Sequence, residues 1–202
     1  MIAALFVQPD GVYAGLDGVD PWPASRDARL YAGWDPVVAH PPCARWYRLA
    51  YFCQSMYGAK VGDDGGTFAA ALAAVRRCGG VLEHPAHTLA WAAHDLVAPS
   101  SAGVWQQTIF GEWVGWVEQI AYGHRARKPT WLLYRGDVPP TPLRSGRGMQ
   151  PTARVGAWRR HQPDRPQLRG RAASATPIAF RDYLLDLAAR SRADLNLAGA
   201  PS

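Results

Sequence analysis

Val37-Val38-Ala39-His40-Pro41-Pro42-Cys43 is the stretch on which the reading of this chain turns. A short β-branched run ends in two prolines and a cysteine. The run predicts a buried strand. The prolines stop it, because each lacks an N–H and fixes φ. Cys43 therefore falls on the rim at the strand's carboxyl end, where open α/β sheets collect ligands and catalytic groups. Residues from Ala44 to about Tyr57 read as a helix whose free N–H groups would favour a thiolate over a thiol. A small buried cysteine on a loop is the plainer alternative.

The same punctuation recurs at Leu82-Glu83-His84-Pro85, where a strand over Val81–Glu83 again runs into proline. Between the two, Thr67–Cys78 predicts an amphipathic helix, with Phe68, Leu72 and Val75 at helical spacing and Gly79 as its stop. Ile2–Val7 reads as a first strand, and Gly15–Pro23 as turns. Arg26–Tyr31 reads as a short helix or a loop, and Thr88–Leu96 as helical. Trp113–Tyr122 and Thr130–Tyr134 read as further strands. Thr176-Pro177 opens a last helix, with Thr176 as N-cap and Ile178, Phe180, Tyr183, Leu184 and Leu187 as its buried stripe. Strands alternating with helices predict an α/β domain with a mostly parallel sheet. We divide it into an α/β core over 1–138, an Arg/Gly/Pro-rich loop over 139–175 and a packing helix over 176–192.

Composition narrows the class. The chain has 202 residues, 48% of them hydrophobic, enough for one full core. No window approaches the roughly 20 apolar residues of a membrane span, and the apolar start lacks a basic leader and cleavage site. Three scattered cysteines make no disulfide framework and fit a reducing, cytoplasmic setting. The net charge of +6 is uneven: eight arginines and a single acid, Asp164, lie between Arg144 and Arg171. Such a segment is a solvated insertion or a phosphate-contacting arm, and the guanidinium fork favours phosphate.

If the two proline-ended strands are neighbours, thiol and carboxyl face one crevice. That pair suits attack on an electron-poor ring: sulfur adds to a ring carbon while the acid protonates the ring nitrogen that would carry the charge.

These residues resemble the cytosine-5 DNA methyltransferases. Pro41-Pro42-Cys43 is similar to that family's proline-cysteine motif, Leu82-Glu83-His84-Pro85 to its Glu-Asn-Val motif, and Tyr122-Gly123-His124-Arg125-Ala126-Arg127-Lys128 to its Gln-x-Arg-x-Arg segment. The resemblance implies a Rossmann-like methyltransferase-type fold. It implies Cys43 as nucleophile, Glu83 at ring nitrogen 3, and Arg125 and Arg127 at the base and its backbone. The Arg-rich segment falls at the family's target-recognition region, so Arg144, Arg147, Arg154, Arg159 and Arg160 would grip DNA. The cofactor implied is S-adenosylmethionine, near Phe6, Asp10, Asp27 and Pro41. The family's Phe-x-Gly-x-Gly turn is not matched by Phe6-Val7-Gln8-Pro9-Asp10-Gly11, and only about thirty residues precede the cysteine strand. The cofactor region is thus expected to be reduced. From about Phe6 to Arg190 the chain also resembles small phage-encoded proteins with the same His-Pro-Pro-Cys and Glu-His-Pro segments, which places it in a bacterial host cell.

Other readings stay open. Asp10, Asp17, Asp20 and Asp27 serve a cofactor or a divalent ion, or they cap turns. Trp46, Tyr47 and Tyr51 stack on a flipped base or belong to the core. His40, Cys43, His84 and His87 have metal-compatible spacing in a metal-dependent or other-donor enzyme, although histidines beside prolines more often bond at loop corners. A degenerate fold that binds DNA without chemistry, as an anti-restriction accessory protein would, is the non-enzymatic alternative.

Overall fold

The computed structural model describes residues 1–47, 60–155 and 164–191. Seven strands form one sheet in the order β2-β1-β3-β4-β7-β6-β5. They are β1 (Ile2–Leu5), β2 (Val19–Trp22), β3 (Val37–Ala39), β4 (Gly80–Pro85), β5 (Trp105–Gln107), β6 (Trp113–Glu118) and β7 (Pro129–Arg135). The α-helices among the described residues are α1 (Thr67–Cys78), α2 (Leu89–Ala93), α3 (Gly170–Ser174) and α4 (Ile178–Ser191).

The protein is α/β, but its sheet is mixed. β2, β1, β3 and β4 run parallel. β7 then lies antiparallel between β4 and β6, and β5 closes the far edge antiparallel to β6. The expected mostly parallel sheet is corrected to three parallel and three antiparallel pairings. The physical reason is connection length: β6 and β7 are joined by a short connection, which serves antiparallel neighbours, whereas a parallel partner needs a full crossover.

Each central strand is apolar on both faces because both are covered. Leu5, Val37, Ala39, Leu82 and Leu133 pack with Phe68, Ala71, Leu72 and Val75 of α1. Ala4, Val38, Val81, Leu132 and Tyr134 pack with Phe180, Leu184 and Leu187 of α4. Alternation along the strands divides the two sets. Asp64 fastens the start of α1, its carboxylate accepting from the Gly66 and Phe68 N–H groups, the Thr67 hydroxyl and the Trp46 indole. In α4 the Pro177 carbonyl accepts from Phe180 and Arg181. Ile178 departs from the predicted stripe: it is 62% exposed.

Chain order reverses direction in the sheet between β1 and β3, since β1 leads to β2 on one side and to β3 on the other. Such a switch point opens a crevice at the carboxyl ends of the strands. That edge carries Phe6 after β1, His40 to Cys43 after β3 and Glu83 to Pro85 at the end of β4. Gln119 after β6 and Lys128 before β7 join them.

A candidate active site at the carboxyl ends of the parallel strands

Register brings the two proline-ended strands together. Ala39 pairs with Leu82, so His40 and Glu83 follow on neighbouring strands. His40 Nδ1 lies 2.9 Å from Glu83 Oε2. The far side of the same imidazole meets Tyr13, whose hydroxyl is 2.8 Å from His40 Nε2. The second carboxylate oxygen, Oε1, accepts from the Gln119 amide at 3.2 Å. That amide also donates to the Thr130 hydroxyl at 2.9 Å, which in turn donates to the Lys128 carbonyl. Each oxygen of Glu83 is thereby held by a donor from a different part of the chain.

Electrostatics follow from this arrangement. Burial pushes the Glu83 carboxyl up, but the His40 hydrogen bond and charge, with Lys128 and His84, outweigh it and leave the group below its ordinary value. Glu83 is a carboxylate at rest, not a standing acid. Burial also lifts Tyr13 well above its ordinary value, and the Glu83 charge adds to that, so Tyr13 keeps its proton. Lys128 is lowered by burial against the pull of Glu83 and Cys43. Its ammonium donates to the Ser174 and Ala175 carbonyls at 2.9 and 2.7 Å, tying the end of α3 to this edge.

Cys43 is half-buried beside this network. Its Sγ shares a 3.1 Å hydrogen bond with the Tyr47 hydroxyl. The expected helix-stabilised thiolate is corrected. Burial raises the thiol, and the Glu83 charge raises it further against the Tyr47 hydrogen bond. Residues 44–47 form a turn rather than a helix, so among the described residues after Cys43 no helical N–H groups offset the cost of burying charge. The remainder of the predicted helix, with Tyr51, lies outside the described residues.

The other expected site residues divide clearly. Arg127 is committed to Glu118 at 2.7 Å and to the Met149 carbonyl. Arg125 is exposed, and its carbonyl accepts from Thr152 and Ala153. Trp46 is core, 5% exposed, while Tyr47 is not. Arg144 is exposed and lies over the Tyr122 ring, 5.1 Å from its centroid. Arg147 is exposed. Arg154 is half-buried and donates to the Arg165 carbonyl, so it holds its own loop. Arg159 and Arg160 lie outside the described residues.

Of the expected metal ligands, only His40 and Cys43 stand near this network's open side. His84 is sealed in the core against Phe68 and Trp91, and His87 packs on Trp116 and Trp131. Among the described residues no cluster of three or more His, Cys, Asp or Glu side chains is placed to hold a metal ion.

The residues assigned to S-adenosylmethionine do not fit that group. Phe6 leaves β1 at φ +59°, and residues 6–18 form turns, not a glycine turn into a helix that could face a cofactor. Asp10 is committed to Arg171 at 2.7 Å. Asp27 caps its own turn and pairs with Arg29 at 2.7 Å. Pro41 is buried.

Tyr13, Gln119, Lys128 and Thr130 carry no sequence signal as site residues. Tyr13 sits in a turn-rich stretch without periodicity, and the others become neighbours of Glu83 only through the insertion of β7 beside β4. Comparison with protein-family models, with curated proteins and with solved structures finds no match.

Proposed function

We propose that this chain is a base-modifying enzyme that acts on a pyrimidine, with cytosine in DNA as the substrate that best suits its groups. One observation carries the reading: a half-buried cysteine and a carboxylate held by two donors follow adjacent strand ends beside the sheet's switch point, close enough for the carboxylate charge to act on the thiol. In this reading Cys43 Sγ adds to carbon 6 of the ring and Glu83 delivers a proton to nitrogen 3, which makes carbon 5 nucleophilic. The base is flipped from its stack to reach the crevice. The parallel half β2-β1-β3-β4 supports a Rossmann-like, methyltransferase-type core. No step is assigned to S-adenosylmethionine, because the β1 exit lacks a turn suited to it.

The test is nucleoside mass spectrometry on DNA from cells expressing the protein or its Cys43→Ala variant. A Cys43-dependent mass shift on deoxycytidine is expected, and the added mass identifies the donor. No shift on any nucleoside would overturn the reading. The turn-only exit from β1 would then favour the second one, a binding protein on the same frame that uses its arginines and not its thiol.

A further inference from the structure

We propose that Tyr13 and His40 are positioning residues for Glu83: the Tyr13 hydroxyl locks His40 as its Nδ1–H tautomer, and that N–H keeps Glu83 ionised and aimed so that it can take the Cys43 proton. The inference deepens the function proposed above and rests on it for the substrate.

The argument starts from the partners of one ring. His40 Nδ1 faces a carboxylate at 2.9 Å, and an ionised carboxylate only accepts. Nδ1 must therefore carry a proton. Nε2 faces the hydroxyl of Tyr13 at 2.8 Å. Tyr13 is 2% exposed and its hydroxyl lies against Nε2, so in the neutral state its O–H donates to the Nε2 lone pair. Free imidazole carries no such constraint; here both nitrogens are decided by fixed neighbours.

Other charges face the same groups. Lys128, His84 and Cys43 act on Glu83. Arg181 and Asp182 of α4 act on Tyr13. None of these supplies a directional donor to Glu83 Oε2, and Gln119 supplies one only to Oε1. His40 is thus the group that fixes the side of the carboxylate nearest β3.

The chemistry balances without a further reagent. The Cys43 S–H breaks, and its proton goes to the Glu83 carboxylate. The sulfur pair forms a bond to ring carbon 6. The carbon 5–carbon 6 π pair becomes a carbon 4–carbon 5 bond, and the displaced π pair on nitrogen 3 takes the proton from Glu83. The carboxylate is regenerated with His40 and Tyr13 unchanged. One proton has moved from sulfur to nitrogen.

Two substrate-free measurements on the full chain test the proposal. The first is long-range proton–nitrogen NMR on histidine-labelled protein at about pH 8, above the ordinary histidine range, with His40 assigned through the backbone. The expected pattern is Nδ1–H for His40. An Nε2–H tautomer at His40 would overturn the proposal. The second is the rate of Cys43 alkylation by iodoacetamide at about pH 6, read by mass spectrometry of the Cys43 peptide. Glu83→Gln removes the facing negative charge and should speed alkylation roughly threefold to tenfold. His40→Leu should follow it, because the carboxyl loses its donor. His40→Asn, which keeps an amide N–H near the Nδ1 position, should stay with the unmodified protein. The His40→Leu/Glu83→Gln double variant should be no faster than Glu83→Gln alone, as expected for residues acting through one another. A His40→Leu rate equal to wild type, or an effect that adds fully to Glu83→Gln, would reject the role. Neither readout contains a substrate, so each succeeds or fails independently of the nucleoside measurement.

Discussion

His84 stands one residue from Glu83 and does the opposite thing with its charge. Its ring is 0% exposed, lies 5.1 Å from Phe68 edge-on and stacks on Trp91. Burial pushes it from an ordinary 6.5 down to about 4, against the pull of Glu83. The folded protein therefore favours the neutral ring, while the unfolded chain takes up a proton as pH falls below about 6.5. Stability from this group is complete above that value and is lost progressively towards pH 4, by about 3 kcal/mol in all. Glu83 has the carboxylate sign and acts in a lower window: its contribution is present above the ordinary carboxyl value and is lost as pH falls through its depressed one. Urea midpoints measured from pH 7 to pH 5 should fall, and His84→Phe should flatten that slope. An equal slope in the variant would place the acid sensitivity elsewhere. At this scale the sequence is a good guide to position. A proline break marks a strand rim, and Cys43 just after one break and Glu83 just before another are both there. It is a poor guide to state. Thiol against thiolate depends on burial, Tyr47 and the Glu83 charge, and the Glu83 partner arrives from another strand.

Element boundaries are legible where local chemistry sets them. The helix expected over Thr67–Cys78 forms with the same bounds, because its apolar spacing and its glycine stop agree. β2 reads as turns in the sequence, since Val19-Asp20-Pro21-Trp22 carries an acid and a proline; Pro21 is tolerated because β2 is the sheet's edge. The place of β7 between β4 and β6 has no local signature, yet it is what brings Gln119, Lys128 and Thr130 to the site. The tightest constraint on these elements lies at the start of β4. Gly80 has φ +114°, and a Cβ there would run into the Val37 carbonyl oxygen. The obstacle is backbone of the strand that carries His40 and Cys43, so nothing soft can yield. Gly80→Ala should cost about 3 kcal/mol or more from the combined backbone strain and overpacking. A denaturant midpoint that differs from wild type by less than about half a kcal/mol, at unchanged slope, would show that β3 and β4 can part there without loss.

At the scale of the whole molecule, the described parts of the basic segment, 139–155 and 164–175, do not trail away from the core but are strapped across the site edge. The Thr141 carbonyl accepts from Trp105 and Tyr183 at 2.9 and 2.8 Å. The Arg144 N–H donates to the Tyr122 hydroxyl, Lys128 holds the end of α3, and Arg171 reaches Asp10 beyond β1. Sequence composition marks the segment as a solvated insertion or a phosphate-contacting arm but does not say which arginines face outward, because a guanidinium donating to a carbonyl and one pointing at solvent look alike in a chain of letters. The structure separates them. Arg125, Arg144 and Arg147 are exposed, whereas Arg154 and Arg127 are committed to the protein's own carbonyls and to Glu118. Under the proposed function the first set meets phosphate and the second set shapes the strap. Arg144→Ala with Arg147→Ala should then weaken duplex binding with little sequence preference. The slope of log affinity against log salt should fall by about one for each phosphate that no longer has an arginine partner. Arg154→Ala should leave that slope nearly unchanged and lower thermal stability instead, since its guanidinium joins two turns of the strap. Binding isotherms at several salt concentrations, taken beside melting curves, decide between them. An equal drop of slope in both variants would mean that the strap reorganises on DNA, and an unchanged slope in the double variant would remove this face from the interface.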